Sequence, residues 1–389
     1  MKPIVVNGRF LTRPQTGVER VAYELTRELE LLSEASPGGL FSTSIALPRE
    51  RSASLEQVET AGASTESTCR FRGHLWEQAA LAVVAPKSWL LSLCNTGPMF
   101  RQRQLILVHD AQVFLNSEAY SPLFRRWYRI MLPKLARTAG VVVTVSEHSK
   151  KQLESLGIVP VGKTHVIPNG GDHILRVKAD NHILKRFGLN SHGYILAVGS
   201  LATHKNLELL TRAARARGPH VLDLVIAGGG NPAVFAQSGL TEGGGVRVLG
   251  RVTDGELRAL YQKARALAFP SITEGFGLPP LEAMNCGCPV VASTGGAIPE
   301  ACGKAALYVD PGDQEAWTAA LERIERDEAL RIALIEKGYR QAAQLTWRTS
   351  AIQVLTLLAQ TERDNALMDW VETAETKNCR PTLDGSDGS

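Results

Sequence analysis

The stretch that decides the fold is Ala264–Ala292, ARALAFPSITEGFGLPPLEAMNCGCPVVA. Its apolar run ends at Phe269 and predicts a buried strand, and the glycine-rich segment that begins at Glu274 predicts an irregular loop. Two consecutive prolines then predict a helix that starts at Leu281, because proline fits the first turn of a helix. In a doubly wound parallel sheet, ligands bind at such a connection, where backbone N–H groups point at an anion. The stretch therefore predicts an α/β fold with a ligand site here.

Two carboxylates, Glu274 and Glu282, bracket the predicted loop with seven residues between them. Carboxylate oxygens accept hydrogen bonds from vicinal hydroxyls, as an acidic residue does for the ribose in dinucleotide sites. This combination indicates a ligand with a phosphate centre and hydroxyl-bearing rings on both sides. The alternative is that Glu274 is a solvated loop charge and that Glu282 only interacts with the helix dipole.

The same segment resembles the signature of the retaining glycosyltransferases of family 4, E-G-F-G-L-P-x-L-E-A-M-A-x-G-x-P-V-V, from which it departs at Asn285. The resemblance implies the GT-B fold: two Rossmann-like parallel-sheet domains that face a cleft, with a C-terminal helix that crosses back to the first domain. It also implies that Glu274 holds the donor sugar and Glu282 the ribose. The other donor-binding residues that it implies here are Gly275, Phe276, Gly277 and Leu278.

A second donor-binding segment is expected around Lys205, in Val198–Asn206, after the predicted strand Tyr194–Val198. It is similar to the phosphate-binding stretch of the same family, which implies that Lys205 neutralises the departing diphosphate. Many members carry an arginine at the position of Ser200 or of His204, and this chain has neither. Either His204 or another cation shares this role, or the protein is catalytically silent.

The first domain offers two further candidates. His109 follows the predicted strand Gln104–Val108, and the polar pair His109-Asp110 resembles the pair that the family places opposite the donor. Gly17 ends the first loop, where backbone amides could reach a phosphate, although no G-x-G-x-x-G fingerprint is present. The alternatives are a histidine that caps a strand and an ordinary turn glycine.

Length and strand–helix alternation predict two domains in the 389 residues. We assign residues 1–175 to an acceptor-side domain and residues 176–345 to a nucleotide-sugar-binding domain. Residues 346–363 are predicted to form the crossover helix and residues 364–389 a flexible tail. Residues 50–68 are rich in serine, threonine and glutamate and are predicted to be a mobile surface segment.

Composition excludes several classes of function. The net charge of +4, from 43 basic and 39 acidic residues, argues against nucleic-acid binding. No apolar run reaches the roughly 18 residues of a membrane span, and no signal peptide is recognisable, so we expect a cytoplasmic protein. The six cysteines have no zinc-site spacing, and no Asp-x-Asp pair is present. We therefore expect neither a metal nor another cofactor.

The segment 121–137 could attach the protein peripherally to the inner face of the cytoplasmic membrane. It combines five cations with Trp127 and Tyr128, which could seat in the headgroup layer of an anionic bilayer. The alternative is a domain helix whose cations are simply solvated. The five cations are Arg125, Arg126, Arg129, Lys134 and Arg137.

Together these features predict a metal-independent retaining hexosyltransferase of bacterial polysaccharide biosynthesis. Its partners would be a nucleotide-sugar donor, with GDP-mannose preferred, and a saccharide or lipid-linked acceptor. UDP-glucose or UDP-GlcNAc are alternative donors. An epimerase or phosphorylase of the same fold, or a silent nucleotide-sugar-binding protein, are alternative functions.

Overall fold

The computed structural model describes residues 3–48, 64–66, 71–115, 121–217, 222–228 and 243–378. Contacts within the chain divide it into two compact units. Unit 1 comprises Met1–Val145, Lys150–Ile167 and Trp347–Ser389, and unit 2 comprises Ser146–Ser149 and Pro168–Thr346. The chain thus leaves unit 1 at Ile167, earlier than the predicted boundary at 175, because the segment after Pro168 packs on a helix of unit 2.

Unit 1 is built on a parallel sheet that has seven strands within the described residues. Its order is β3-β2-β1-β4-β5-β6-β7, and every neighbouring pair is parallel. The strands are β1 Ile4–Asn7, β2 Thr43–Leu47, β3 Ser64–Glu66, β4 Trp89–Ser92, β5 Gln104–Leu107, β6 Val141–Thr144 and β7 Thr164–Val166. The prediction that residues 50–68 form a mobile segment is therefore wrong for Ser64–Glu66, which form β3 and pair with β2. The other residues of this segment lie outside the described ranges.

Helices cover this sheet, because a crossover between parallel strands usually carries one; the connection from β4 to β5, which lies within the described residues, has none. They are α1 Gly17–Ala35, α2 Gly73–Val83, α3 Gln112–Leu115, α4 Pro122–Thr138 and α5 Glu147–Ser155, of which the residues from Lys150 onward belong to unit 1. Helix α4 presents Tyr128, Met131 and Leu135 to a core that includes Ile106 of β5. Burying this apolar face fixes the helix on the sheet.

The aromatic residues of α4 pack against other parts of unit 1, Tyr128 completely and Phe124 and Trp127 in part. Tyr128 is buried, and the ring of Trp127 lies 5.7 Å from that of His74 in α2. The predicted seating in a headgroup layer is therefore wrong for Tyr128, because its ring is buried inside unit 1; for the half-buried Trp127 it stays a prediction.

Two further helices complete unit 1, α13 Trp347–Glu362 and α14 Asn365–Asn378. Helix α13 packs on α1, and the Nε1 of Trp89 donates to Glu362 at 2.9 Å. The predicted flexible tail is wrong over α14, because Leu367 and Val371 recur at helical spacing and are buried. Residues 379–389 lie outside the described ranges.

Unit 2 contains a second parallel sheet, with six strands in the described residues and the order β10-β9-β8-β11-β12-β13. The strands are β8 Tyr194–Val198, β9 Asp223–Ala227, β10 Val246–Gly250, β11 Ala266–Phe269, β12 Val290–Ser293 and β13 Ala306–Val309. Chain order reverses between β8 and β11, which places a topological switch point at their carboxyl ends.

The helices of unit 2 pack on this sheet and on one another. They are α6 His182–Arg186, α7 Leu207–Ala216, α8 Asp254–Lys263, α9 Leu278–Asn285, α10 Ile298–Cys302, α11 Gln314–Arg326 and α12 Glu328–Gln344. One core joins Ile195 of β8, Leu210 of α7 and Trp317 of α11. No helix in the described part of either unit combines the length and apolar character that crossing a membrane requires.

Candidate functional site

Two loops meet at the switch point of unit 2, one after β8 and one after β11. The N–H of Ile272 donates to the carbonyl oxygen of His204 at 2.7 Å. Asn206 adopts a left-handed conformation with φ of 56°, from which its Nδ2 donates to the carbonyl of Pro270 at 3.1 Å. These bonds hold the short helical turn Thr203–Lys205 against the loop that carries Glu274.

Lys205 and Glu274, both predicted from the sequence, are brought together here. The Nζ of Lys205 lies 2.6 Å from Oε1 of Glu274, and the two side chains are 20% and 14% exposed. The ammonium group also lies 5.6 Å from the ring centroid of Phe269. An ion pair that keeps this much exposure can exchange its partner for a ligand, whereas a fully buried pair could not.

The glycine-rich loop after Glu274 is fixed by its backbone. The carbonyl oxygen of Gly275 accepts hydrogen bonds from the hydroxyls of Ser146 at 2.7 Å and Ser149 at 3.2 Å. Phe276 is buried, and Gly277 caps α9 with φ of 119°, a conformation that favours glycine. The loop is therefore held in one conformation and is not a freely moving segment.

Helix α9 begins at Leu278, three residues before the predicted start, because proline is tolerated within the first helical turn. Pro279 and Pro280 carry no N–H group, so two of the amide donors expected at this helix start do not exist. The backbone donors left at the start of α9 are those of Gly277 and Leu278. A phosphate at this position would depend on these amides and on Lys205.

Glu282 lies in the second turn of α9 and is only 7% exposed. Its Oε1 lies 3.0 Å from Nε2 of His173, and its Oε2 accepts from the hydroxyl of Tyr261 at 2.8 Å. Burial and the Glu282 charge raise the pKa of Tyr261 well above its usual value, so the phenol stays protonated and donates. The alternative that Glu282 only interacts with the helix dipole does not account for these two side-chain donors.

Sequence patterns did not reveal His173 or Tyr261 as partners of Glu282. The contacts join residues 109 and 21 positions apart, so no local periodicity connects them. The one local feature is that His173 directly follows the segment Asn169-Gly170-Gly171-Asp172 with its pair of glycines.

In unit 1, His109 follows β5 and is buried. Its backbone N–H donates to Oδ1 of Asn95 at 2.8 Å, and its Nε2 lies 2.8 Å from the carbonyl oxygen of Leu93. Burial lowers the pKa of His109, so the ring is neutral, and Nε2 must carry the proton that it shares with this carbonyl. Nδ1 is then the acceptor nitrogen of the ring.

Gly17 is the first residue of α1, and Thr16 is its N-cap. The N–H of Thr16 donates to Oε2 of Glu19 at 3.3 Å in a capping box. A carboxylate therefore already caps this helix start, and a phosphate that approached Gly17 would meet its negative charge. The predicted role of Gly17 stays a prediction.

A second cluster in unit 1 was missed, because Glu77 lies inside α2 and no motif marks it. Glu77 is 1% exposed and accepts from Asn7 at 3.0 Å, Thr96 at 2.8 Å and Arg9 at 2.5 Å. His74 lies 3.1 Å from it. Although burial raises the pKa of Glu77, the hydrogen bond to His74 and the charge of Arg9 hold it below its usual value. This network fixes the carboxyl end of β1.

Within the described residues, no cluster of three or more His, Cys, Asp or Glu side chains could hold a metal ion. Cys286 and Cys288 are free thiols, and burial raises the pKa of Cys286 to about 12. Such thiols do not ionise readily and do not suit metal coordination.

Comparisons with known proteins match both halves of the chain. The family described as glycosyl transferases group 1 matches residues 183–341, and glycosyltransferase family 4 matches residues 86–173. The O-antigen chain mannosyltransferase B of Escherichia coli is 30% identical over 88% of this chain and 95% of its own length. The O-antigen chain mannosyltransferase RfbU of Salmonella typhimurium is 30% identical over 68% of this chain and 74% of its own length.

Solved structures agree on the fold. Anabaena HepE in complex with UDP and glucose has a TM-score of 0.70 at 18% identity, covering 92% of this chain and 100% of that one. WaaG, a glycosyltransferase involved in lipopolysaccharide biosynthesis, has a TM-score of 0.64 at 14% identity, covering 92% of this chain and 99% of that one. One assignment accounts for the two parallel sheets, the loops after β8 and β11, and the match to mannosyltransferase B over 95% of its length. The chain belongs to glycosyltransferase family 4 and has the GT-B fold.

Proposed function

We propose that this glycosyltransferase moves mannose from GDP-mannose to a saccharide or lipid-linked acceptor in bacterial polysaccharide biosynthesis, with retention of anomeric configuration. The observation that carries the proposal is the Lys205–Glu274 pair at the switch point of unit 2, where a nucleotide-sugar offers a partner to each charge. The choice of mannose is supported by relatives named as mannosyltransferases, at 30 and 31% identity.

Donor binding would exchange the partners of this pair. The diphosphate would bind Lys205 and accept hydrogen bonds from the amides of Gly277 and Leu278. The sugar hydroxyls would donate to Glu274. Glu282 would accept hydrogen bonds from the hydroxyls of the ribose. Each exchange replaces one charged hydrogen bond by another, so the ligand need not leave a charge unpaired.

In the chemical step, the bond between the anomeric carbon and the diphosphate oxygen breaks, and a bond to the acceptor oxygen forms on the same face. The acceptor proton passes to the leaving phosphate oxygen, so the step requires no protein base. Negative charge develops on the diphosphate, and Lys205 with the two amides would stabilise it without a metal ion. The role expected for His109 of unit 1 stays a prediction.

The test is transfer to a mannose-terminated oligosaccharide with GDP-mannose, UDP-glucose and UDP-GlcNAc compared in EDTA. We expect an α-linked mannosyl product, read by NMR from the anomeric C–H coupling. Lys205→Ala should lower turnover by about a hundredfold, and Lys337→Ala, which removes an exposed lysine of α12, should not. Donor binding by the parent without transfer or hydrolysis would identify a silent binding protein instead.

We further propose that one face of α4 docks on an anionic membrane that carries the acceptor. Leu123 is 80% exposed and Ile130 51% exposed, on the same helical stripe as the exposed cations Arg126, Lys134 and Arg137. Each cation near an anionic surface contributes about 1 kcal/mol. Apolar side chains set among cations on one exposed stripe suit a headgroup layer.

Vesicle sedimentation tests this surface. The triple variant with Arg126, Lys134 and Arg137 replaced by glutamine should bind phosphatidylserine vesicles about a hundredfold more weakly at low salt. It should transfer normally to a soluble acceptor. The matched control is a triple glutamine variant of three exposed cations of unit 2, Arg326, Lys337 and Arg340. Equal vesicle binding by both variants would show that α4 is a solvated face.

A further inference from the structure

We propose that His173 and Tyr261 are positioning residues that hold the carboxylate of Glu282 in place for the two adjacent hydroxyls of the donor ribose. This inference rests on the proposed function, because it concerns the same donor site. It adds two residues that neither the sequence motif nor the predicted site contained.

The geometry gives each oxygen of Glu282 its own protein donor. His173 Nε2 lies 3.0 Å from Oε1, and the Tyr261 hydroxyl lies 2.8 Å from Oε2. A carboxylate offers about four acceptor positions, and each of these two donors occupies one of them. One donor on each oxygen fixes the plane of the group, so both oxygens are placed to meet a vicinal diol.

The two donors also keep the charge of Glu282 available. A carboxylate that is only 7% exposed would lose its charge or its orientation without such bonds. Tyr261 can only donate, because it stays protonated, and an ionised carboxylate requires that the proton of His173 sit on Nε2. The carboxylate is therefore oriented to accept hydrogen bonds from the ribose hydroxyls before the ligand arrives. This lowers the cost of binding.

The backbone shows why His173 reaches this position. A Cβ added at Gly171 would lie 2.6 Å from Cβ of Leu281 and 3.0 Å from Nδ2 of Asn285. The missing side chain lets the turn before His173 lie directly against α9. The N–H of Gly171 also donates to the carbonyl of Leu345 at 3.1 Å, which anchors the turn from its other side.

The experiment compares ribose with deoxyribose. Calorimetric titration of the full chain uses GDP and UDP, each beside its 2′-deoxy form. The parent should prefer the ribose form of the nucleotide it binds by about tenfold or more, the range of a hydrogen bond to a charged group. Tyr261→Phe should remove most of that preference while the affinity for the 2′-deoxy form changes less than about twofold.

Two matched variants control for damage to the fold. Tyr194→Phe removes another buried phenol, whose hydroxyl donates at 2.8 Å to the carbonyl of Leu260, and it should keep the ribose preference. His173→Leu should behave as Tyr261→Phe does. His173→Gln keeps an N–H donor and should restore the preference to within about threefold of the parent. In transfer assays, the Leu and Phe variants should raise the donor KM and leave kcat nearly unchanged.

The outcomes separate the two proposals. If Tyr261→Phe and His173→Leu weaken ribose and 2′-deoxy forms equally, or weaken neither, the positioning role is overturned while a parent that transfers sugar keeps the proposed function. If the parent binds neither nucleoside diphosphate, both proposals are overturned together.

Discussion

Replacing Glu274 by alanine should separate catalysis from stability, because the ion pair with Lys205 contributes much to one and little to the other. At 2.6 Å and an effective dielectric constant of about 20, the direct attraction is about 6 kcal/mol. Desolvation and side-chain ordering offset most of it, and pairs with solvent access contribute about 1 kcal/mol or less. The melting temperature should therefore fall by no more than about 4 °C. Transfer should fall by about a hundredfold or more, since a group aimed at the reacting sugar is lost.

The assay is initial-rate transfer from GDP-mannose, with thermal unfolding measured on the same preparations. Glu208→Ala is the matched control, because Glu208 pairs with Arg212 at the same 2.6 Å in the same unit but on an exposed helix face. It should leave transfer unchanged. If Glu274→Ala keeps transfer within about a factor of two of the parent, the role assigned to this carboxylate is incorrect.

Three further predictions follow from individual sites. Transfer should survive EDTA, because Lys205 and the amides of Gly277 and Leu278 are proposed to hold the diphosphate; complete loss that magnesium restores would refute this. Glu30→Gln should raise the free energy of unfolding at pH 8 by about 1 to 3 kcal/mol and leave it unchanged at pH 4, as measured by urea unfolding. Burial raises the pKa of Glu30 to about 7, so its stabilising contribution is complete below about pH 4.5 and is lost as pH rises through 7; an equal gain at both pH values would exclude this titration. Gly171→Ala should destabilise unit 2 by about 1 to 3 kcal/mol, because the new methyl meets α9, and urea midpoints equal to the parent's would show that the turn can move away.

The strands that position the donor site could be predicted because parallel strands buried on both faces read as short apolar runs. Tyr194–Val198 was predicted with the bounds that the structure shows, and the strand predicted to end at Phe269 does end there. Helix ends were less certain. Two prolines were taken to precede the helix at Leu281, whereas they lie inside its first turn, which starts at Leu278.

The features that the sequence did not reveal are contacts between distant parts of the chain. Glu282 was predicted as a ribose ligand, but no sequence pattern links it to His173, 109 positions earlier. Helix α14 was taken as a tail because its buried face is narrow and its other positions are polar. Tyr128 was considered as a possible membrane contact although it is buried, because composition alone does not show which side of a basic helix packs on its own sheet.

The central claim, that unit 2 binds a nucleotide-sugar through Lys205, Glu274 and Glu282, is tested most directly by thermal unfolding with added donors. A ligand at about 100 times its Kd stabilises the folded state by about 2.7 kcal/mol. GDP-mannose should therefore raise the melting temperature by several degrees, free mannose should not, and Glu282→Ala should remove most of the shift. A parent protein whose melting temperature does not change with saturating GDP-mannose, UDP-glucose or UDP-GlcNAc would contradict the account.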